Sequence, residues 1–433
     1  MKKDAGKFTR RDFIRASAAG AIAAMTAKIG TRAYAAGSDK IRIGLIGCGG
    51  RGSGAVNNCI NADPSAELVA MGDVFKDRID KSLDLVKRGN QIAEKVSPER
   101  IKITPDTRFG GFDAYQKVLA CDVDVVILAT PPHFRPMHLR AAVEAGKHVF
   151  MEKPVAVDPV GVRSIIASSE LAEKKGLAIV AGTMKRHQTH YIEVINRVHR
   201  GDIGNIVGGQ CYYNTGGLWI KDRQPSWSDM EWQCRNWLYF TWLSGDHIVE
   251  QHVHNIDVMN WAMGSHPTKC LGIGGRGVRT DPKYGNIFDH FTVEYEYPSG
   301  ARIVSMCRQM DGCSERVSER VVGTKGTMVT DDSMSAIEGQ NAYKHQGEES
   351  NPYVQEHADL IASIRQGKPL NEGRRVAEST LTAIMGRMSA YTGRELSWDW
   401  VMNASKLDLT PAKYEFGDLP VEPVAIPGKT KLI

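Results

Sequence analysis

The sequence predicts an α/β protein in two parts: an N-terminal parallel sheet of βαβ units, then a C-terminal α+β domain with an open, mainly antiparallel sheet. Three observations carry this. Between residues 41 and 150 short apolar runs alternate with helical stretches, the rhythm of parallel strands joined by crossover helices. Beyond residue 200 the strands lengthen and alternate apolar with polar positions, as strands with one covered face do. At 433 residues, with 42% hydrophobic and 24% charged content, the chain can bury two sizeable cores.

The first 35 residues stand apart. Thr9-Arg10-Arg11-Asp12-Phe13-Ile14-Arg15 leads into an Ala-rich, weakly apolar stretch ending in Ala33-Tyr34-Ala35, a small-residue cleavage pattern. This order reads as a twin-arginine signal peptide over 1–35, cut after Ala35; an ordinary basic helix is the other reading. The expected partner is the twin-arginine export machinery, and the expected location is periplasmic or otherwise exported through that pathway. The signal also accounts for the charge, because the chain carries +5 in all and its first 35 residues carry +6. The remainder offers no basic excess to suggest nucleic-acid binding, and no run of about 18 apolar residues suggests stable membrane insertion. Eight cysteines, at 48, 59, 121, 211, 234, 270, 307 and 313, form no C-x-x-C pair. In a protein folded before export they read as buried thiols.

Residues 36–155 are expected to form the parallel-sheet domain, with strands at 41–46, 67–71 and 123–129 and helices at 114–119 and 137–144. Residues 156–408 are expected to form the second domain. One more α/β unit runs through 160–174 and 178–181, followed by strands at 206–214, 288–297 and 301–308, the last two joined by the hairpin signal Pro298-Ser299-Gly300. Helices at 354–365 and 376–391 would pack back on the molecule, and 409–433, rich in Pro and Gly, reads as an extended arm.

Gly47-Cys48-Gly49-Gly50-Arg51-Gly52 follows the first strand and opens a helix, the setting in which G-x-G-x-x-G marks a Rossmann dinucleotide-binding domain. Its glycines let the backbone approach a pyrophosphate at a helix N-terminus, where N–H groups and the dipole favour negative charge. Asp73 lies 21 residues beyond Gly52, the place for a carboxylate that accepts from the ribose hydroxyls. Val74 and Phe75 follow it, not an arginine, which favours NAD over NADP; Arg51 and Lys76 pull the other way. Thr130, Pro131 and His133 end a later strand and would run over the cofactor. His138 would join them, or serve only as a surface or capping residue. Glu152-Lys153-Pro154 ends the strand before it in the same way, so Glu152 and Lys153 point toward the cofactor and Lys153 is a catalytic candidate.

Glu250 and His254 are four apart, hence on one face of an expected helix. A carboxylate, a histidine and a lysine together suit hydride transfer from an alcohol: one group takes the hydroxyl proton and another holds the oxygen. His247, Glu250, His252 and His254 could also ligate zinc or simply cluster structurally, but their spacing matches no standard zinc pattern, and no metal is expected. Around them, Arg186, Tyr213, Arg235, Trp237 and His252 are candidates to bind the substrate. Aromatics beside Arg and Asn suit a sugar, while a satisfied core is the readier account of any single Trp.

Together, the fingerprint, Thr130-Pro131-Pro132 with His138, the run Ala145-Gly146-Lys147-His148-Val149 through Glu152-Lys153-Pro154, the Glu250/His254 pair and Gly323-Thr324-Lys325-Gly326-Thr327 resemble the Gfo/Idh/MocA oxidoreductases, the family of glucose-fructose oxidoreductase and inositol dehydrogenase. The resemblance spans roughly residues 41–400. It implies NAD(P)-linked hydride transfer at a hydroxyl of a sugar, glycoside or cyclitol, with an open sheet used for substrate binding or for a homo-oligomer. The family lysine falls on Lys153 and the catalytic histidine on His254. The usual aspartate falls on Glu250, one methylene longer. For an exported member the resemblance also implies a tightly bound cofactor recycled in place. An alternative within the family is an NAD-dependent glycosidase working by transient oxidation and elimination; such relatives tend to lack the lysine kept here as Lys153.

Overall fold

The computed structural model describes residues 40–89 and 93–433. The signal peptide expected over 1–35 lies outside the described residues. Six parallel strands, β1 (Ile41–Ile46), β2 (Ala66–Asp73), β3 (Arg108–Gly110), β4 (Val125–Leu128), β5 (His148–Met151) and β6 (Ile179–Ala181), form a sheet in the order β3-β2-β1-β4-β5-β6. The order reverses between β1 and β4, which opens a crevice at their carboxyl ends.

Alternate side chains of these strands part into two cores. Ile41, Ile43, Leu45, Val125, Ile127 and Phe150 face the helix Gly50–Ala62 and, through Leu360, Ile361 and Ile364, the late helix Pro352–Arg365. Ile46, Val126, Leu128, Val149 and Met151 face the other way, into a core shared with the helices Arg135–Glu144, Pro159–Lys174 and Gly373–Thr392. Both late helices therefore pack back on the parallel sheet. The domain boundary expected at 155 is corrected by this topology. β6 is apolar, buried and paired in parallel with β5, so the helix Pro159–Lys174 is one more crossover within the first sheet.

The second sheet has nine strands: β7 (Ile206–Thr215), β8 (Lys269–Gly275), β9 (His290–Glu296), β10 (Arg302–Gln309), β11 (Arg316–Gly323), β12 (Gly326–Asp331), β13 (Met334–Gly339), β14 (Tyr343–Lys344) and β15 (Leu396–Ser397). Their order is β14-β13-β12-β11-β7-β10-β9-β8-β15, antiparallel except between β7 and β10. The helices Val253–Met263 and Gly373–Thr392 cover one face. The other exposes Leu271, Ile273 and Met306.

The single helix expected to carry both Glu250 and His254 is divided. His247–Glu250 and Val253–Met263 are separate helices, with a turn at Gln251 and His252. Asp246 introduces the first with φ +71, an uncommon conformation for a residue with a Cβ. Its carboxylate holds it there by accepting from Phe288 N–H at 2.8 Å and Tyr391 O–H at 2.6 Å. Beyond the last helix, Trp398–Asn403, the chain runs back over the body as an arm without helix or strand. Leu409 N–H donates to Asp158 at 2.9 Å, Leu419 N–H to Asp229 at 3.1 Å and Gly428 N–H to the Thr392 carbonyl at 3.0 Å.

Candidate active site

The crevice at the switch point is a cavity of about 430 Å³, within the usual size of a small-molecule site. Its floor is the glycine loop. Gly47 has φ +101, and a Cβ there would overlap the backbone of Ala129 and Thr130; a Cβ on Gly52 would overlap the Gly47 carbonyl. At Gly50, by contrast, a Cβ would meet nothing within 4 Å. Gly47 and Gly52 therefore shape the loop, while Gly49 and Gly50 present bare backbone to the cavity at the start of the helix Gly50–Ala62. That cradle fits a dinucleotide pyrophosphate. Aromatic walls formed by Phe75, Phe112, Tyr115, Phe134, Trp219 and Trp237 supply flat surfaces along the same cavity.

Asp73 lines the cavity at the end of β2. Its carboxylate accepts from Cys48 N–H at 2.7 Å and Phe75 N–H at 2.9 Å, which ties the acid to the glycine loop. Burial pushes this carboxyl up, and the two N–H groups and Arg78 pull it back. Sequence reasoning missed Arg78, which also lines the cavity. It sits one turn into a surface-type helix, Lys76–Arg88, with no motif to mark it.

Thr130, Pro131 and His138 line the cavity as expected, and Thr130 Oγ1 lies 3.3 Å from His138 Nδ1. Burial, with the charges of Arg135 and His133, brings His138 down to about 3, so it is a neutral structural ring and not a surface residue. His133 is not in the cavity wall. Its Nε2 bonds Tyr414 of the C-terminal arm at 2.8 Å, and burial brings it down to about 4. Glu152, expected to contact cofactor, turns instead to Arg51, whose Nε donates to it at 2.5 Å.

Lys153, two residues past the end of β5, reaches across to the other domain. Its ammonium donates to the main-chain carbonyl of Glu250 and pairs with Glu250 Oε1 at 3.1 Å, both side chains being largely shielded. His254 is the second residue of the helix Val253–Met263. Burial holds its imidazole well below the ordinary histidine value, and the Lys153 and Lys185 ammonium groups add to this while Asp257 opposes it. Tyr213, on β7, completes this cluster, its phenol pushed up to about 12 by burial and by the Glu250 charge. The structure thus brings Lys153, Glu250, His254 and Tyr213 together, and the helix break at Gln251-His252 does not separate the acid from the histidine's surroundings.

Three residues expected to bind substrate are occupied elsewhere. Arg186 forms a two-pronged ion pair with Asp257, at 2.7 and 3.0 Å, and lies 4.4 Å over the Trp261 ring, locking the helix Val253–Met263 to the turn Met184–His187. His252 is fully buried, with Nε2 2.7 Å from Ser305 Oγ, and burial brings it down to about 3. Arg235 pairs with Glu231 at 2.9 Å and Asp77 at 3.1 Å and lies 3.8 Å over Phe75. Trp237 lines the cavity edge-on to Trp219.

Comparison with known proteins agrees with this fold. Residues 41–183 match the model described as "Oxidoreductase family, NAD-binding Rossmann fold", and residues 191–329 match "GFO/IDH/MocA C-terminal domain". The chain belongs to the Gfo/Idh/MocA oxidoreductase family and is an NAD(P)-dependent oxidoreductase. It is similar to scyllo-inositol 2-dehydrogenase (NAD(+)) of Bacillus subtilis, 23% identical over 67% of this chain and 73% of that protein. It is also similar to a glycosyl hydrolase family 109 protein of Shewanella amazonensis, 26% identical over 70% of this chain and 67% of that one. Among solved structures, aldose-aldose oxidoreductase from Caulobacter crescentus shares the fold, with a TM-score of 0.63, 19% identity and coverage of 83% of this chain and 99% of that one.

The depressed His254 gives a pH prediction. An imidazole held below the ordinary value of 6.5 is neutral, and so able to accept a proton, throughout the neutral range. The acidic limb of the rate profile for sugar-driven nucleotide reduction should therefore fall below about pH 6.5. In Lys153→Met, with one neighbouring cation removed, any residual activity should show that limb shifted to higher pH. A limb at or above the ordinary histidine value in the wild type would show that His254 is not the proton acceptor.

Proposed function

We propose that this chain is an exported oxidoreductase that transfers hydride between a hydroxyl of a sugar, glycoside or cyclitol and a tightly held NAD. The observation that carries the reading is the convergence of Lys153, Glu250 and His254 from two domains, with Lys153 following directly on Glu152, which is paired with Arg51 of the glycine loop. The bound nicotinamide supplies the hydride acceptor. Neutral His254 takes the hydroxyl proton, the Lys153 ammonium stabilises charge developing on the oxygen, and Glu250 holds that ammonium in place. The carbon–hydrogen bond gives up its electron pair as hydride, and the alcohol carbon becomes a carbonyl. Inositol and aldose substrates are named for the similar proteins above, and the aromatic side chains Trp219 and Trp237 in the cavity wall support a polyhydroxylated ring here.

NAD is favoured over NADP because the Asp73 carboxylate would repel a 2′-phosphate, although Arg78 stands near enough to soften that repulsion. Tight retention is supported by the C-terminal arm. Phe416 stacks on Phe75 with centroids 5.7 Å apart and contacts Phe112 at 5.3 Å, while Tyr414 packs on Phe112 and Phe134 at 6.0 and 5.7 Å. The arm thus braces three walls of the cofactor cavity from outside.

A missing general acid–base group costs about 10²–10⁴ in rate. Lys153→Met and His254→Ala should fold, keep the nucleotide and lose single-turnover reduction of bound NAD by that order. Wild-type rates in either variant would remove that residue from the mechanism. Glycoside cleavage that requires NAD but gives no net oxidation would favour the glycosidase alternative.

Export is supported by Arg10-Arg11 ahead of the Ala33-Tyr34-Ala35 pattern. Replacing both arginines with lysine should hold the precursor in the cytoplasm; undiminished accumulation outside it would refute the twin-arginine reading. A homo-oligomer is supported by the open face of the second sheet, where Ile273 is 70% exposed and Leu271 50% among ion-paired Arg302, Glu294, Glu296 and Lys269. Ile273→Glu should lower the sedimenting mass of the mature protein, and a wild-type protein that already sediments as a monomer would end this reading.

A further inference from the structure

Arg51 belongs to the glycine loop, yet its side chain leaves it. Nε donates to Glu152 Oε1 at 2.5 Å, Nη2 donates to Glu356 Oε1 at 3.0 Å, and the guanidinium lies 4.9 Å from the centre of the Tyr353 ring. Both carboxylates are buried, Glu356 completely. Two buried carboxylates around one cation are expensive to desolvate, and apolar packing would give a tighter core at less cost. The clamp also leaves Arg51 Nη1 and Glu356 Oε2 buried without hydrogen-bond partners among the described residues. Stability alone does not account for such an arrangement.

The elements that the clamp joins suggest its use. Arg51 stands on the first turn of Gly50–Ala62, where the pyrophosphate would rest. Glu152 is the neighbour of Lys153. Glu356 and Tyr353 come from Pro352–Arg365, which packs against Gly50–Ala62. On its far side the Glu152 carboxylate presses against Gly182, where a Cβ would come within 2.5 Å of Oε2, so it has little room to move independently of Arg51.

We propose that Arg51 is a positioning residue that couples occupation of the dinucleotide site to the placement of the Lys153 ammonium, acting through Glu152. A diphosphate at the helix end brings negative charge to the turn that carries Arg51 and changes how the guanidinium is shared between Glu152 and Glu356. Glu152 transmits that change along one peptide unit to Lys153. This rests on the reading of Lys153 as catalytic and adds that its position depends on the nucleotide.

The test is made on protein stripped of bound nucleotide and uses ADP-ribose, which fills the pyrophosphate site but carries no nicotinamide to shield Lys153 directly. Acylation of Lys153 by acetic anhydride is followed by mass spectrometry, with surface lysines as the internal reference. In wild type, saturating ADP-ribose should change the Lys153 rate by about fivefold or more, the scale of ordinary site-to-site coupling. Arg51→Met, at a concentration where ADP-ribose binding is confirmed calorimetrically, should lose that effect, and Glu356→Gln should reduce it. Should Arg51→Met fail to fold, Arg51→Lys serves the same purpose, because it keeps the charge but loses the two-pronged geometry. An equal ADP-ribose effect in wild type and the Arg51 variant would overturn the coupling, as would no effect in a wild type whose site is filled. A wild type that binds neither ADP-ribose nor NAD would overturn the cofactor assignment as well, which separates the two failures.

Discussion

The contact on which the site depends is the one between Lys153 and Glu250, 97 residues apart in sequence and on different domains. The parallel sheet delivers the ammonium; the helices over the second sheet deliver the acceptors. A shielded ion pair of this kind gives little net stability, since the attraction is offset by the water both groups lose. Its consequence is positional. It ties the end of β5 to the helices that carry Glu250 and His254, and it adds a positive charge to the burial that already holds that imidazole well below its ordinary value.

Other buried charges serve to keep the two domains in register. Asp257 lies one turn beyond His254 and receives Arg186 at 2.7 Å, Arg375 at 3.3 Å and Ser379 at 2.7 Å. These bonds fix the histidine helix to the end of β6 and to Gly373–Thr392, which itself lies under both sheets. Glu319, at an inward position of β11, accepts from Lys185, Asn255, Tyr191 and Thr330. Satisfied in this way, a buried carboxylate costs little and defines one packing of the helix on the sheet.

The parts legible in the sequence are those where one local rule dominates. β1 is six apolar-rich residues followed by a glycine fingerprint, and Asp73 and Lys153 follow from strand ends in a parallel sheet. The strands β8 and β11 to β15 were not legible, because Glu319 at a core position and the glycines of Lys269–Gly275 break the alternation on which strand reading depends. Arg186 and His252 were misjudged for a related reason. Sequence shows that a charged or polar side chain is near the site but not whether Asp257 or Ser305 has already taken it. The start of the short helix His247–Glu250, held by the bonds of Asp246 to Phe288 and Tyr391, depends on partners 42 and 145 residues away and leaves no local mark.

The central claim is that the cavity over the glycine loop holds a nicotinamide dinucleotide poised for hydride exchange at Lys153 and His254. The most direct measurement is to purify the protein without added nucleotide, denature it and identify what is released. The account predicts NAD or NADH in near-stoichiometric amount and, before denaturation, a change in the nicotinamide absorbance band when a suitable sugar or cyclitol is added. A protein that releases no nucleotide and binds neither NAD nor NADP when they are supplied would contradict it.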